Sequence, residues 1–170
     1  MRDTPGFADF YQANYGKLVG LIAAMTGDLA GAEDIAQEAF ARALARWHRI
    51  GDYELPEAWL RTVALRIAID SGRRARRTAL LAARLSARRQ APGRVPDDVA
   101  DFAELTAALR QVPVSQREVL VLHYIADLPV DQIARERGLP SGTVKARLAA
   151  GRRRLEQHMS GPGKAVRDAR

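Results

Sequence analysis

The side chains in this sequence that could do chemistry are mostly cations rather than nucleophiles or general bases. The chain has 27 Lys and Arg residues, no cysteine, and a net charge of +7. Residues 71–95 contain eight arginines and no acid, and residues 136–170 carry nine basic and three acidic groups. Two basic blocks separated by less basic sequence are typical of a protein that contacts a polyanion at two places. Charge alone fits a nucleic-acid partner and a solvated basic surface equally well.

Residues that would be needed for catalysis or for a metal site are not grouped in the sequence. The three histidines, His48, His123 and His158, are far apart, and none has a second ligand at metal spacing. The sequence contains no phosphate-binding glycine loop and no nucleophile motif. We therefore expect no catalytic residue, no metal and no cofactor.

The second basic block coincides with a helix-turn-helix pattern at residues 129–148. Ile133 and Ala134 are predicted to face inward from the first helix, and Gly138 is predicted to end that helix with a positive φ. Ser141 is expected to cap the second helix. A helical hairpin with a solvated basic surface is the alternative, but the glycine turn, the caps and the charge together favour DNA binding.

The second helix of this motif predicts the surface that enters a major groove. Because a helix turns by about 100° per residue, the side opposite Val144 is exposed. Lys145 is the best single candidate for a base or phosphate contact, whereas alanines can contact only thymine methyls or lie near the DNA backbone. Arginines beside this surface are expected to bind phosphates. The predicted DNA contacts are Ser141, Thr143, Lys145, Ala146, Arg147, Ala149, Arg152 and Arg153.

Apolar residues at helical spacing dominate the first 70 positions. Residues 7–25 step by three and four, as in an amphipathic helix, and the Gly27-Asp28 pair is predicted to end it. A second helix is expected to open at Ala32, and a third to start with Pro56 and to end near Gly72. The abundance of Ala and Leu also favours helices.

A segment rich in proline, glycine and charge divides the chain, because the helical pattern decays after Arg73 and is replaced by a sequence around Pro92-Gly93. A second helical cluster follows, and in it Ser115 and Glu118 have the spacing of a capping box. We predict an all-α protein with two small helical domains, the second a helix-turn-helix. The predicted ranges are 5–74 for the first domain, 75–101 for a flexible linker, 102–159 for the second domain and 160–170 for a tail.

Three segments, in this order along the chain, resemble bacterial RNA polymerase sigma factors of the sigma-70 family. Residues 32–40 are similar to its polymerase-binding signature, residues 56–70 to its promoter-melting helix, and the helix-turn-helix to its reader of the −35 element. The resemblance covers residues 7–158 and is to the minimal, two-domain extracytoplasmic-function (ECF) group. It implies an alternative sigma factor that directs promoter-specific initiation and is not itself an enzyme.

The resemblance also implies roles for individual residues of the first domain. Asp34, Gln37 and Glu38 match the positions that dock on the coiled-coil clamp of the largest polymerase subunit. The loop and helix that follow match the region where a flipped base of the melted −10 strand is captured, which needs a stacking surface, a polar edge and cations. Trp59 is assigned to the core. The candidates for −10 DNA binding are Tyr53, Arg61, Arg66, Arg73 and Arg74.

Two departures from the family pattern affect the expected DNA preference. Leu65-Arg66 stands where many members carry an Arg-Asn pair, and the Asn is a frequent residue of the base pocket. The recognition helix has Ala146, Ala149 and Ala150 where longer side chains are common, so the −35 contact is expected to depend more on DNA shape and backbone.

The partners implied by the resemblance are core RNA polymerase (through the largest-subunit clamp and the flap), promoter DNA and an anti-sigma factor. No apolar run approaches the ~18 residues of a membrane-spanning helix, so no membrane insertion and a cytoplasmic location are expected. The alternative function is a helix-turn-helix transcription regulator that binds duplex DNA without core polymerase. Such a regulator is expected to carry an α/β sensing domain in its first half.

Overall fold

A computed structural model describes residues 6–83 and 97–159, and within these ranges every regular element is a helix. The predicted all-α class is therefore confirmed. Residues 84–96 of the predicted linker and the predicted tail at 160–170 lie outside the described residues. The helices are α1 (Phe7–Thr26), α2 (Leu29–Ala45), α3 (Trp47–Ile50), α4 (Pro56–Ala83), α5 (Asp97–Gln111), α6 (Val114–Tyr124), α7 (Val130–Arg137) and α8 (Ser141–Met159).

The first helical unit is built from α1, α2 and α4 around an aliphatic core with an aromatic end. Ile22 and Leu60 are almost fully buried in this core. At the aromatic end, the ring centroids of Phe10 and Trp47 are 4.8 Å apart and those of Tyr11 and Phe40 are 4.7 Å apart. Aromatic contacts of this kind add to the burial of apolar area, so α1, α2 and the short α3 are held in a fixed arrangement.

Local signals set most helix boundaries in the first unit, although two boundaries differ from the prediction. Gly27 ends α1 in the left-handed region with φ +73°, and the Asp28 side chain accepts a hydrogen bond of 3.1 Å from the amide of Gly31. This cap starts α2 at Leu29, one turn earlier than the predicted Ala32. Helix α4 begins at Pro56 as predicted, but it passes through Gly72 and continues to Ala83. One glycine costs a helix only about 1 kcal/mol, which the flanking Arg-Ala sequence tolerates.

The second unit contains α5 to α8, and its tightest crossing lies between α6 and α8. Gly151 of α8 is buried, and a Cβ atom at this position would lie 2.9 Å from Cδ1 of Leu120. Glycine therefore allows the two helices to approach closely. Ile133 and Ala134 are buried and Gly138 ends α7 with φ +62°, as the helix-turn-helix pattern predicts.

Two predicted caps in the second unit are wrong. Helix α6 starts at Val114 after Pro113 without a side-chain cap, and Glu118 is buried in an ion pair with Arg137 instead of closing a capping box. Ser141 is the first residue of α8, and its Oγ donates a 3.1 Å hydrogen bond to Oδ1 of Asp131 in α7. In both cases a tertiary partner has replaced the local backbone partner that the sequence spacing suggested.

The two units contact each other in this structure, because α1 packs against α5 and α6 and α4 meets α7. The buried Arg117 of α6 donates a hydrogen bond of 2.9 Å to the carbonyl oxygen of Met25 at the end of α1. It also donates to the carbonyls of Val112 and Arg110, at 3.0 and 3.2 Å. Burial, followed by the charges of Arg76 and Arg110, lowers the pKa of Arg117.

Over residues 6–83 and 97–159, no helix is both long enough and apolar enough to cross a membrane. The same residues contain no cluster of three or more acidic or histidine side chains suited to hold a metal ion. His123 is half-buried, and its Nδ1 lies 2.8 Å from the carbonyl oxygen of Leu128, so this ring contacts the backbone of the loop before α7.

Candidate nucleic-acid interface

The exposed strip of α8 forms the first part of the candidate interface. Lys145, Ala146 and Arg153 are exposed, whereas Val144 and Leu148 on the opposite side are buried. Ala149 is half-buried at the edge of the strip. The first half of α8 therefore presents small side chains with one cation beside them, and Arg153 follows two turns further along. A helix surface with small side chains of this kind is compatible with close approach to a DNA groove.

Three other predicted DNA contacts on α8 are less available to DNA. Two of them are hydrogen-bonded within the protein, and the third is half-buried. Arg152 Nη1 donates a hydrogen bond of 3.2 Å to the hydroxyl of Tyr124, and Ser141 is bonded to Asp131. Thr143 is half-buried in the first turn. The hydrogen bonds of Arg152 and Ser141 hold α8 on α6 and α7. A DNA phosphate that bound either side chain would have to replace or share its hydrogen bond.

A buried charge lies beneath the recognition helix and affects another predicted contact. Glu118 of α6 pairs with Arg137 at the end of α7, and both side chains are largely buried. Burial raises the pKa of Glu118, while the charges of Arg137 and Arg147 oppose that shift. Arg147 is half-buried on this side of α8, so Glu118 offsets the positive charge of the two arginines.

A cation-lined pocket in the first unit forms the second part of the interface. Its volume is about 560 Å³, and Tyr53, Trp59, Val63 and Arg66 form one side of it. Tyr53 is 45% exposed. Trp59 packs partly against the core, as predicted, but it also forms part of the pocket wall. The other side carries three arginines that the sequence reasoning missed, Arg42, Arg46 and Arg49.

The signal for these three arginines was present in the sequence. They follow the inner stripe of α2 at intervals of four and three residues, which places them on one side of a continuous helical path. The sequence-based prediction gave Arg42, Arg46 and Arg49 no part in DNA binding. Their role in a pocket depends on the short α3, which turns the chain back toward α4, and a tertiary turn of this kind leaves no periodic pattern.

The five predicted −10 contacts are not all on one surface. Arg66 and Arg74 line an adjoining pocket of about 390 Å³ next to Asp70, and Arg73 is exposed with Nη1 3.9 Å from an Asp70 oxygen. Arg61 lies elsewhere. It faces the second unit and forms an ion pair with Glu136 of α7. Tyr53, Arg66 and Arg74 therefore line two adjoining pockets beside α4, Arg73 lines the cleft between the units, and Arg61 faces the second unit.

The predicted polymerase-binding residues form an exposed strip on α2. Asp34, Gln37 and Glu38 are all exposed, with the three- and four-residue spacing of neighbours on one side of a helix. Glu38 forms an ion pair with Arg42 one turn later. Asp34 and Glu38 also line a cleft of about 790 Å³ between the two units, which Arg110 and Arg117 line from the other side.

Comparison with known protein families accounts for both units. A family model described as Sigma-70 region 2 matches residues 10–78, and a second, described as Sigma-70, region 4, matches residues 102–155. The chain belongs to the sigma-70 family, and to its ECF group, because ECF RNA polymerase sigma factors 30–31% identical to it match more than nine-tenths of its length. Region 2 of this ECF sigma factor thus includes α2, the cation-lined pocket and most of α4, and region 4 includes the helix-turn-helix.

Individual relatives agree with this assignment over most of their length. The ECF RNA polymerase sigma factor SigW of Bacillus subtilis is 31% identical, with 92% of this chain and 90% of the relative covered. The ECF RNA polymerase sigma factor RpoE of Cereibacter sphaeroides is 30% identical, with 94% and 89% covered. SigL of Mycobacterium tuberculosis is 36% identical, with 73% and 72% covered.

Solved structures share the fold at lower sequence identity. The sigma factor RpoE of Bartonella quintana, in complex with the anti-sigma factor NepR, superposes with a TM-score of 0.71 at 21% identity, covering 92% of this chain and 98% of that chain. CnrH, in complex with the cytosolic domain of CnrY, gives 0.64 at 22% identity, covering 96% and 88%. Family membership and fold favour the sigma factor over a polymerase-independent regulator, and no α/β unit occurs in the described part of the first half.

Proposed function

We propose that this ECF sigma factor directs core RNA polymerase to its promoters by binding DNA with two separate surfaces. The observation that carries the proposal is that each unit presents its own nucleic-acid-compatible surface. The first unit has a pocket with aromatic and cationic walls, and the second has a groove-sized helix with a small-residue strip. A protein that only reads duplex DNA needs the second surface and has no use for the first.

The strip of Asp34, Gln37 and Glu38 is proposed to dock on the clamp of the largest polymerase subunit. These side chains are exposed on one side of α2, and two of them carry negative charge. The packing of α2 against α1 and α4 fixes the strip in place. Rigid, exposed charges of this kind favour a defined docking orientation on a complementary surface.

The pocket beside α4 is proposed to capture a base flipped out of the melted −10 strand. Stacking on an aromatic side chain stabilises a flipped base by about 1–3 kcal/mol. Tyr53 in the preceding loop and Trp59 in the first turn of α4 provide aromatic surfaces. Arg66, Arg73 and Arg74, together with Arg46 and Arg49, place cations where the strand's phosphates would pass.

The second unit is proposed to read the −35 duplex with α8 and to contact the polymerase flap with another surface. Lys145 and Arg153 are the free cations that lie on the exposed strip, so they are the proposed groove and phosphate contacts. An apolar groove of about 240 Å³ lies between α5, α6 and α8, lined by Leu105, Leu109 and Leu155. Tyr124 and Ile125 at its edge are 54% and 43% exposed. Exposed apolar surface of this kind is typical of a binding site, and we assign it to the flap.

Regulation by an anti-sigma factor is the remaining part of the proposal. The sigma factor RpoE of Bartonella quintana, which shares this fold, has been solved in complex with the anti-sigma factor NepR. CnrH, which also shares it, has been solved in complex with the cytosolic domain of CnrY. We propose a comparable partner for this chain, which would compete with the polymerase. We also propose that the chain has no catalytic activity of its own and works in the cytoplasm, where the polymerase acts.

DNA footprinting with and without purified core enzyme tests the proposal. A sigma factor is expected to protect promoter DNA strongly only when core polymerase is present, and the −10 region is expected to become reactive to single-strand probes. Equal protection of a duplex site by the protein alone, with no melting on addition of core enzyme, would favour the polymerase-independent regulator. Salt should weaken the complex because phosphate contacts release counterions.

A further inference from the structure

One side of α4 carries an aromatic, an apolar and a cationic side chain in order along the pocket of the first unit. Trp59, Val63 and Arg66 all line this pocket, which has a volume of about 560 Å³. Their spacing of four and then three residues places them in one stripe of the helix. A base that lies on this stripe would therefore contact an apolar surface with its face and a guanidinium with one edge.

The position of Arg66 along the helix suits contact with the edge of such a base. Each residue of an α-helix advances by about 1.5 Å, so Arg66 lies about 4.5 Å beyond Val63 along the axis. Helical side chains lean toward the amino-terminal end, so the long Arg66 side chain covers the turn that contains Val63. Arg66 is exposed, and within residues 6–83 and 97–159 it has no hydrogen bond or ion pair. Its N–H groups are therefore available to a ligand.

The other cations of the pocket lie on its other side, around the junction of α2 and α3. They are Arg42, Arg46 and Arg49. Arg42 is paired with Glu38, whereas Arg46 and Arg49 are exposed. The base and the phosphate of one nucleotide lie at opposite ends of it. The side formed by α2 and α3 therefore suits the phosphates, and the α4 side suits the base.

The chemistry of the lining restricts which base fits. Among the described residues no carboxylate lines this pocket, and its charged groups are all guanidinium groups, which donate hydrogen bonds and accept none. A guanidinium binds most favourably to two neighbouring acceptors. Guanine offers O6 and N7 on one edge, and an unpaired cytosine offers O2 and N3. Adenine and thymine have no such pair of neighbouring acceptors.

We propose that Arg66 contacts the captured base itself and selects a base with two neighbouring acceptors, guanine or cytosine, over adenine and thymine. This selection rests on the proposed function, since it concerns the base that the pocket takes from the melted −10 strand. Arg66 is thus a specificity residue as well as a cation beside the strand. Arg46 and Arg49, in contrast, bind phosphates and carry no sequence information.

Binding of single strands by core enzyme with this sigma factor (the holoenzyme) tests the selection without knowledge of the promoter. The probes are short, fluorescein-labelled oligothymidine strands whose central nucleotide is dT, dA, dG or dC, and core enzyme alone gives the background. A bidentate arginine–base contact discriminates roughly tenfold against a wrong base. The dG or the dC strand should therefore bind about tenfold more tightly than the dT and dA strands. If dG is preferred, replacing it with 7-deazaguanine, which lacks the N7 acceptor, should remove the preference.

Two variants separate base selection from phosphate binding. Arg66→Lys keeps the positive charge but lacks the fork of donors, so the preference should be lost while the salt dependence of binding changes little. The matched control, Arg46→Ala, removes a cation from the other side of the pocket. It should weaken binding of all strands by a similar factor, reduce the slope of log affinity against log salt by about 0.7, and keep the preference. Circular dichroism should give the same helix content for both variants.

The possible failures of selection and of capture give different results. Equal binding of all strands by the parent holoenzyme, tighter binding of the dA or dT strand, or an unchanged preference in Arg66→Lys would overturn selection by Arg66. Base capture by the pocket would survive each of these results. Strands that the holoenzyme binds no better than core enzyme alone would instead refute the proposed capture, and the role of Arg66 with it.

Discussion

Buried charged side chains fix much of this molecule at the scale of single residues. Arg117 is buried, yet its guanidinium is satisfied by carbonyl oxygens of three residues, one of which belongs to the other unit. Glu118, the next residue, is buried on another side of α6 with Arg137. Neither role is visible in sequence, because an arginine and a glutamate in an amphipathic helix are normally solvated.

Replacing Arg117 with methionine should destabilise the fold by about 2–4 kcal/mol, because several buried carbonyl groups lose their donor. Urea unfolding monitored by circular dichroism measures this change. Arg135→Met, at an exposed position of α7, is the matched control and should change stability by less than about 0.5 kcal/mol. Equal stability of the two variants would contradict the structural role of Arg117.

The raised pKa of Glu118 predicts a pH effect with a definite sign. Burial raises this pKa above its ordinary value of 4.5, so just above pH 4.5 the folded state holds the proton more tightly than the unfolded state. The contribution of Glu118 to stability must therefore fall as the pH rises through this window. Glu118→Gln removes the effect, so the unfolding free energy of the parent minus that of the variant should decrease with pH. An increase would show that Arg137 and Arg147 outweigh burial.

At the scale of elements, the recognition helix should be separable from polymerase binding. Changing Lys145 and Arg153 to alanine should abolish −35-dependent initiation, while binding to core enzyme in a pull-down or titration is retained. Each lost phosphate contact should also reduce the slope of log affinity against log salt by about 0.9. Gln157→Ala, at an exposed position near the end of α8, is the control. Equal loss of both activities would argue against the division of labour between the units.

Elements defined by local chemistry were predictable, and those defined by tertiary contacts were not. Gly27, Pro56 and Gly138 mark helix ends where expected, because positive φ and proline geometry act on the residue itself. Glu118 and Ser141 have the spacing of caps, but they bond to Arg137 and Asp131 from another helix. The spacing of residues within one segment does not show that a side chain on another helix competes for the same hydrogen bond.

The candidate site, too, was predictable where helical periodicity determines it and not where tertiary contacts do. The exposed strips on α2 and α8 follow from helical periodicity alone. The pocket was only half predicted. Trp59 is a core residue and also part of the pocket wall, and Arg42, Arg46 and Arg49 reach the pocket around the junction of α2 and α3. Arg61 has the sequence position of a −10 contact, but its side chain forms an ion pair with Glu136 of α7.

At the scale of the whole molecule, two units that must act far apart on DNA are packed together. Buried apolar residues of both units form one hydrophobic cluster, and Arg61 and Arg117 add polar contacts between the units. A change in composition along the chain predicted the two domains. No pattern in the sequence indicated how the two domains contact each other.

The most direct test of the central claim is run-off transcription with purified core enzyme on promoter-containing DNA, followed by mapping of the start sites. Our account predicts that core enzyme alone gives no specific transcript. Addition of this protein should produce discrete starts at a constant distance from a shared pair of upstream elements. Transcription that stays unchanged when the protein is added, under conditions in which the core enzyme responds to another sigma factor, would contradict the account.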